Sequence, residues 1–166
     1  MVEFKRATLT DANELAKVKF SAWSTTYRGI YPDELIDKYD YEMHTEKFVK
    51  TINNTDIDLY CVYEDGEMVG FFSFGYNIRE YKHFKIYLKQ LYLVKKMQGK
   101  GVGRMIFDFI RQELRKKGEV DFFCNCNVYN TPSIKFYEKM GGVVTDTVIN
   151  PEEDKSFHQV YIEFEV

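Results

Sequence analysis

Residues 98–103 read Gln-Gly-Lys-Gly-Val-Gly. An apolar run rich in β-branched and aromatic residues precedes them, and a helical pattern follows. Glycine has no Cβ, so successive backbone N–H groups can converge on a ligand. At the start of a helix those groups are also unsatisfied and lie at the positive end of the helix dipole. A strand, a glycine turn and a helix in that order can therefore hold a phosphate. The same glycines would also permit a tight strand-to-helix connection, and spacing alone leaves both readings open. Two familiar nucleotide patterns are absent. The fingerprint G-x-G-x-x-G meets Arg104 at its last position, and no Lys-Ser or Lys-Thr pair completes a P-loop.

Other reactive side chains form no comparable pattern. Cys124 and Cys126 stand two apart on a strand and share a face; with no second ligand pair nearby they read as small buried apolar residues, and no metal site is expected. The three cysteines provide no disulfide framework, which points to a reducing, cytoplasmic compartment. The net charge of −3 gives no reason to expect nucleic acid as a partner. No run is apolar enough to suggest a membrane span, and the charged opening MVEFKRATLTDANEL lacks the apolar centre of a secretion signal.

The elements that must position the glycine turn are legible. The 166 residues, 45% hydrophobic and 17% aromatic, fit one globular domain spanning 1–166. A short strand from Val2 to Ala7 leads to a helix with Thr10 as its expected N-cap. Gly29 and Pro32 end that helix; a second short helix starts at Asp33, and a third helical segment covers YEMHTEKFVKTI. DLYCVYE and MVGFFSFGY, joined at Asp65-Gly66, read as a hairpin. A polar connection from Asn77 to Lys85 then leads to the strand IYLKQLYLV. After the glycine turn come a helix from Val102 to Lys117, the strand VDFFCNCNV, a helix starting near Asn130 and stopping at Gly141-Gly142, and two closing strands. The class is mixed α/β.

Two of these segments carry a resemblance. Gln98, Gly101 and Gly103 match Q/R-x-x-G-x-G/A, and Asn130, Ser133, Phe136, Tyr137 and Gly141 match N-x-x-S/A-x-x-F/L-Y-x-x-x-G-F. Both are signatures of the GCN5-related N-acetyltransferases, the GNAT family, which this chain resembles along essentially its whole length. Gly142 departs from the pattern, where the family usually has Phe. The resemblance implies a mixed, mostly antiparallel sheet of about seven strands, with splayed parallel central strands and flanking helices. It also implies acetyl-coenzyme A as co-substrate and transfer of its acetyl group to an amine.

Residue by residue, the resemblance assigns Leu91, Tyr92 and Leu93 to the pantetheine arm, with a backbone N–H of that segment on the thioester carbonyl. The N–H groups of Gln98, Gly99, Lys100, Gly101, Val102, Gly103 and Arg104 would hold the pyrophosphate, with charge from Lys100 and Arg104. Asn130 and Ser133 would lie beside the cofactor, Asn130 also serving as an N-cap. Tyr137 would be the general acid toward the leaving thiolate, because a phenol near pKa 10 is still protonated when a thiol near 8.5 departs. Glu80 is the acid nearest the central strand and the candidate base, with His83 and His158 as alternatives. Trp23, Tyr27 and Tyr31 would form an aromatic wall for the acceptor, with Asp33, Glu34 and Asp37 available to attract a cationic amine. A small primary amine such as a polyamine or aminoglycoside is the expected acceptor, in a monomer or homodimer. A peptide acetyltransferase and a coenzyme-A sensor without turnover are the alternatives.

Overall fold

The computed structural model describes residues 1–166. Seven strands form one sheet: β1 (Val2–Arg6), β2 (Ile57–Glu64), β3 (Glu67–Tyr81), β4 (Phe84–Leu93), β5 (Asp121–Asn127), β6 (Val143–Val148) and β7 (Gln159–Glu165). Their order is β1-β2-β3-β4-β5-β7-β6, and every neighbouring pair is antiparallel except β4 and β5. Five helices complete the fold: α1 (Ala12–Tyr27), α2 (Asp33–Asp37), α3 (Tyr41–Asn53), α4 (Val102–Lys116) and α5 (Thr131–Lys139).

The sheet is covered on both faces, so the central strands bury apolar residues on both sides. Along β2, Leu59 and Cys61 pack toward α1 and α3, while Tyr60 and Val62 face the α4 side. Helix α4 buries Ile106, Phe107, Ile110 and Leu114, a helical spacing that lays one stripe on the sheet. Phe122, Cys124 and Cys126 of β5 enter that same core, so the two cysteines do behave as buried apolar residues. No group of three His, Cys, Asp or Glu side chains is placed to hold a metal, and no helix is long and apolar enough to cross a membrane.

Two local features differ from the sequence reading, and a third explains a departure already visible in it. Helix α1 is entered through a 3-10 turn at Leu9–Asp11. Thr8, not Thr10, opens that turn: its backbone N–H donates to the Asp11 carboxylate at 2.7 Å and its hydroxyl to the same oxygen at 2.9 Å. The segment Asn77–Lys85 is not a loop. β3 runs on to Tyr81 and pairs with Phe84 across a turn, because Tyr81 stacks on Tyr161 at 4.4 Å and Ile78 packs with Phe84 and Phe123. The third concerns Gly142, whose absent side chain suits its surroundings. A Cβ there would come within 2.6 Å of Ile162 and Phe164, so strand β7 already fills the volume that a Phe would need.

Candidate active site

Strands β4 and β5 pair in register only at Tyr87 and Phe123. Against β3, Ser73 lies opposite Gln90 but Phe74 lies opposite Leu88, so Lys89 is an inserted residue. Such a bulge bends its strand and strengthens its twist. Beyond it β4 continues to Leu93 and β5 to Asn127 without pairing, and the gap opens into a cavity of about 620 Å³. Leu91, Tyr92 and Leu93 line one wall; Asn125 and Cys126 line the other. The exposed edge of β4 is thereby free to take an extended ligand as an added strand.

The glycine turn closes one end of this cavity. Gly99 and Gly101 adopt left-handed backbone, with φ of +75° and +83°, and Gly101 is the N-cap of α4. None of the backbone N–H groups from Gly99 to Arg104 donates to a turn, loop or cap acceptor. Six successive donors at a helix start therefore remain for an anion. Gln98 does not join them: its N–H donates to the Lys95 carbonyl at 3.2 Å, and its side-chain amide donates to the Leu93 carbonyl at 3.1 Å. The motif glutamine thus ties the turn to the end of β4, and the donor run starts one residue later than expected. Gly103 has a second reason to be glycine, since a Cβ would meet the Phe136 ring at 2.7 Å. Gln98, Gly99 and Gly103 line the cavity; Lys100, Gly101, Val102 and Arg104 do not, and the Val102 side chain lies in the core.

Helix α5 supplies the opposite wall. Asn130 caps it by accepting the Ser133 N–H at 3.3 Å, and both residues line the cavity. Tyr137 follows one turn later, packed against Phe107 and Phe136. Burial drives its phenol well above the ordinary tyrosine value, so it stays protonated. Its hydroxyl has no partner within the protein, yet no fully buried side-chain polar atom is left unsatisfied, so the hydroxyl opens onto the cavity. Burial also raises Tyr92 well above its usual range and the Cys126 thiol to about 12.

The aromatic wall assembles. Tyr27 stacks on Tyr31 at 4.4 Å, and Trp23 lies 6.0 Å from each ring. Tyr27 faces the cleft; Tyr31 faces a second cavity of about 730 Å³ between the α1–α2 connection and residues 151–158. Ile30 borders both. The acids on α2 are not free: Arg28 bridges Asp33 at 3.1 Å and Asp37 at 2.9 Å, and Lys38 holds Glu34 at 2.5 Å. Glu80 is exposed near the β3–β4 turn, at the far end of β4 from the cleft, and lines neither cavity. That position removes it as a base for chemistry in the cleft. His83 is likewise outside, against Asp121 at 2.9 Å. His158 is buried and borders the second cavity.

Comparison with known proteins agrees with this geometry. The family model for the Acetyltransferase (GNAT) family matches residues 20–142. The chain belongs to the GNAT family. It is therefore an acetyl-coenzyme A-dependent N-acetyltransferase. Spermidine N(1)-acetyltransferase of Thermoplasma acidophilum is 26% identical over 151 residues, covering 88% of this chain and 91% of that protein. An uncharacterised N-acetyltransferase of Bacillus subtilis, YuaI, is 29% identical, with 83% and 78% covered. Among solved structures, the PaiA N-acetyltransferase of Thermoplasma acidophilum in complex with coenzyme A superposes with a TM-score of 0.80 over 100% of this chain and 99% of that one, at 23% identity.

For a GNAT protein the cleft holds cations that sequence reasoning passed over. Lys95, Lys135 and Lys139 line it, whereas the expected Lys100 and Arg104 do not. Lys135 and Lys139 stand four apart on α5, flanking Tyr137, a spacing that marks one helix face. The bulge at Lys89 carries no signal in the amino-acid pattern.

Proposed function

We propose that this GNAT protein transfers acetyl from acetyl-coenzyme A, bound in the β4–β5 cleft, to a primary amine of a small polyamine such as spermidine. The observation that carries the reading is the unpartnered Tyr137 hydroxyl facing a cleft whose end is closed by the unpaired N–H groups of Gly99–Arg104. Those N–H groups take the pyrophosphate, with Lys95, Lys135 and Lys139 as further anion partners. Leu91 to Leu93 take the pantetheine arm along the free edge of β4, and a backbone N–H there stabilises the oxyanion as the amine attacks the thioester carbon. As the carbon–sulfur bond breaks, Tyr137 donates to the sulfur. A phenol held above its usual pKa is protonated at that moment, and a thiolate near pKa 8.5 leaves readily once hydrogen-bonded.

The acceptor enters through the second cavity. Its lining favours a cationic chain: Arg28 holds Asp33, and the carboxylates of Glu153 and Asp154 stand with the aromatic faces of Tyr31 and Tyr129. Lys155 offsets part of that charge. The likeness to a spermidine acetyltransferase supports the same class. The test is thiol release from acetyl-coenzyme A with spermidine, an aminoglycoside, an amino acid and a peptide. Turnover with spermidine above the others supports the reading. Turnover with the peptide alone, or thermal stabilisation by acetyl-coenzyme A without turnover of any acceptor, contradicts it.

A further inference from the structure

An alkylammonium near pKa 10.4 must lose a proton before it can attack, and the β4–β5 cleft offers no carboxylate or imidazole to take it. The second cavity does contain a proton acceptor. His158 is 5% exposed, and its Nε2 lies 2.7 Å from the Asn150 carbonyl oxygen. A carbonyl can only accept, so Nε2 carries the ring proton. In the neutral imidazole Nδ1 is then a lone pair, and it lies 2.9 Å from the Tyr129 hydroxyl, which must be the donor. The Tyr129 oxygen keeps its own lone pairs for a donor in the cavity that both residues line. The backbone fixes the pair: Val128 N–H donates to the His158 carbonyl at 3.0 Å, and the next residue but one, Asn130, caps α5 in the cleft.

Accepting the second cavity as the acceptor entrance, we propose that Tyr129 and His158 form the proton relay that converts the incoming ammonium to the nucleophilic amine. One N–H bond of the ammonium breaks as an O–H bond forms on Tyr129. The original Tyr129 O–H breaks as Nδ1–H forms on His158. The products are a neutral amine, an intact tyrosine and an imidazolium whose Nε2–H remains on the Asn150 carbonyl. The imidazolium then returns its Nδ1 proton to the Tyr129 oxygen as the Tyr129 O–H proton passes to water in the open cavity, and the hydroxyl again donates to Nδ1, which completes the cycle. Tyr129 is the group that touches the amine; His158 acts through it. The charges around the pair are mixed. Asp154 and Glu153, from the segment before β7, line the cavity with Lys155, and Asp33 lines it paired with Arg28. Lys155 also sits 5.3 Å over the Tyr129 ring and holds it in place.

The test compares pH profiles of kcat/KM for spermidine in wild type, Tyr129→Phe and His158→Gln. Tyr129→Phe keeps the ring beneath Lys155 and removes only the hydroxyl. Both variants are expected to lose about 10²-fold at pH 7 and to approach wild type near pH 10, where the amine deprotonates unaided, with KM for acetyl-coenzyme A unchanged. A loss that is equal at every pH, or no loss, overturns the relay. A second measurement does not depend on the acceptor: nitrogen-15 shifts of the His158 ring in the intact protein should report an Nε2–H tautomer whose Nδ1 shift moves in Tyr129→Phe. An Nδ1–H tautomer overturns the relay. Absence of wild-type turnover with spermidine would instead strike the proposed acceptor, while the ring shifts would still decide for or against the relay.

Discussion

Tyr87 and Phe123 are the one residue pair at which the parallel strands β4 and β5 are in register, and the Tyr87 hydroxyl continues the link by donating to Asn125 at 2.5 Å. Asn125 in turn donates to Gln159 at 3.0 Å, so one chain of hydrogen bonds fixes β4, β5 and β7 where the cleft starts. The bulge at Lys89 lies two residues further along and accounts for the divergence.

Tyr87→Phe removes the first link and leaves the Asn125 carbonyl short of a donor. It is expected to cost about 1–2 kcal/mol in urea unfolding. Because Asn125 lines the cleft, KM for acetyl-coenzyme A should rise while kcat changes less.

Gly103 brings α4 against α5. Gly103→Val drives a branched side chain into the Phe136 ring and should destabilise by about 1–3 kcal/mol. In the folded fraction, the rise in Tm on adding coenzyme A should shrink, since the donor run is displaced with the helix start.

Tyr137→Phe should lower kcat by about 10²-fold with little change in KM for acetyl-coenzyme A. Burial holds the phenol above its ordinary pKa, so wild-type kcat should show no fall from tyrosine ionisation as pH approaches 10. Steady-state thiol release across pH checks both statements.

Much of this site was readable before any coordinates, because it rests on local chemistry. Gly99, Gly101 and Gly103 mark a turn through their missing side chains, and Asn130 to Tyr137 fall on one short helix with its own cap. What escaped the sequence depends on long-range packing. The extension of β3 to Tyr81 follows from stacking on Tyr161, eighty residues later in the chain. The bulge at Lys89 exists only relative to β3. Asp33, Glu34 and Asp37 look like free acids in sequence, yet Arg28 and Lys38 neutralise them. Glu80 is close to β4 along the chain and remote from the cleft in space.

Lys19 on α1 lies partly buried near Lys47 and Lys89, with its Nζ 3.4 Å from His44 Nδ1 and no acidic partner. Burial, then repulsion from those lysines, pulls it down to about 8, and His44 falls to about 4. A lysine whose folded pKa is lowered binds fewer protons folded than unfolded between about pH 8 and the ordinary 10.4, so its penalty is full below that window and fades as pH rises through it. Lys19→Met should therefore stabilise the protein at pH 7 by about 1–2 kcal/mol, after allowance for solvent screening. Urea melts at pH 7 and pH 10 should show that gain shrinking at the higher pH.

The most direct test of the account is the backbone amide spectrum of the protein titrated with coenzyme A. The amides of Gly99 through Arg104 should show the largest shifts and become protected from exchange, with smaller shifts at Leu91–Leu93 and Asn130. Saturable binding that leaves Gly99–Arg104 unmoved and perturbs another surface would contradict the placement of the cofactor, and with it the proposed chemistry.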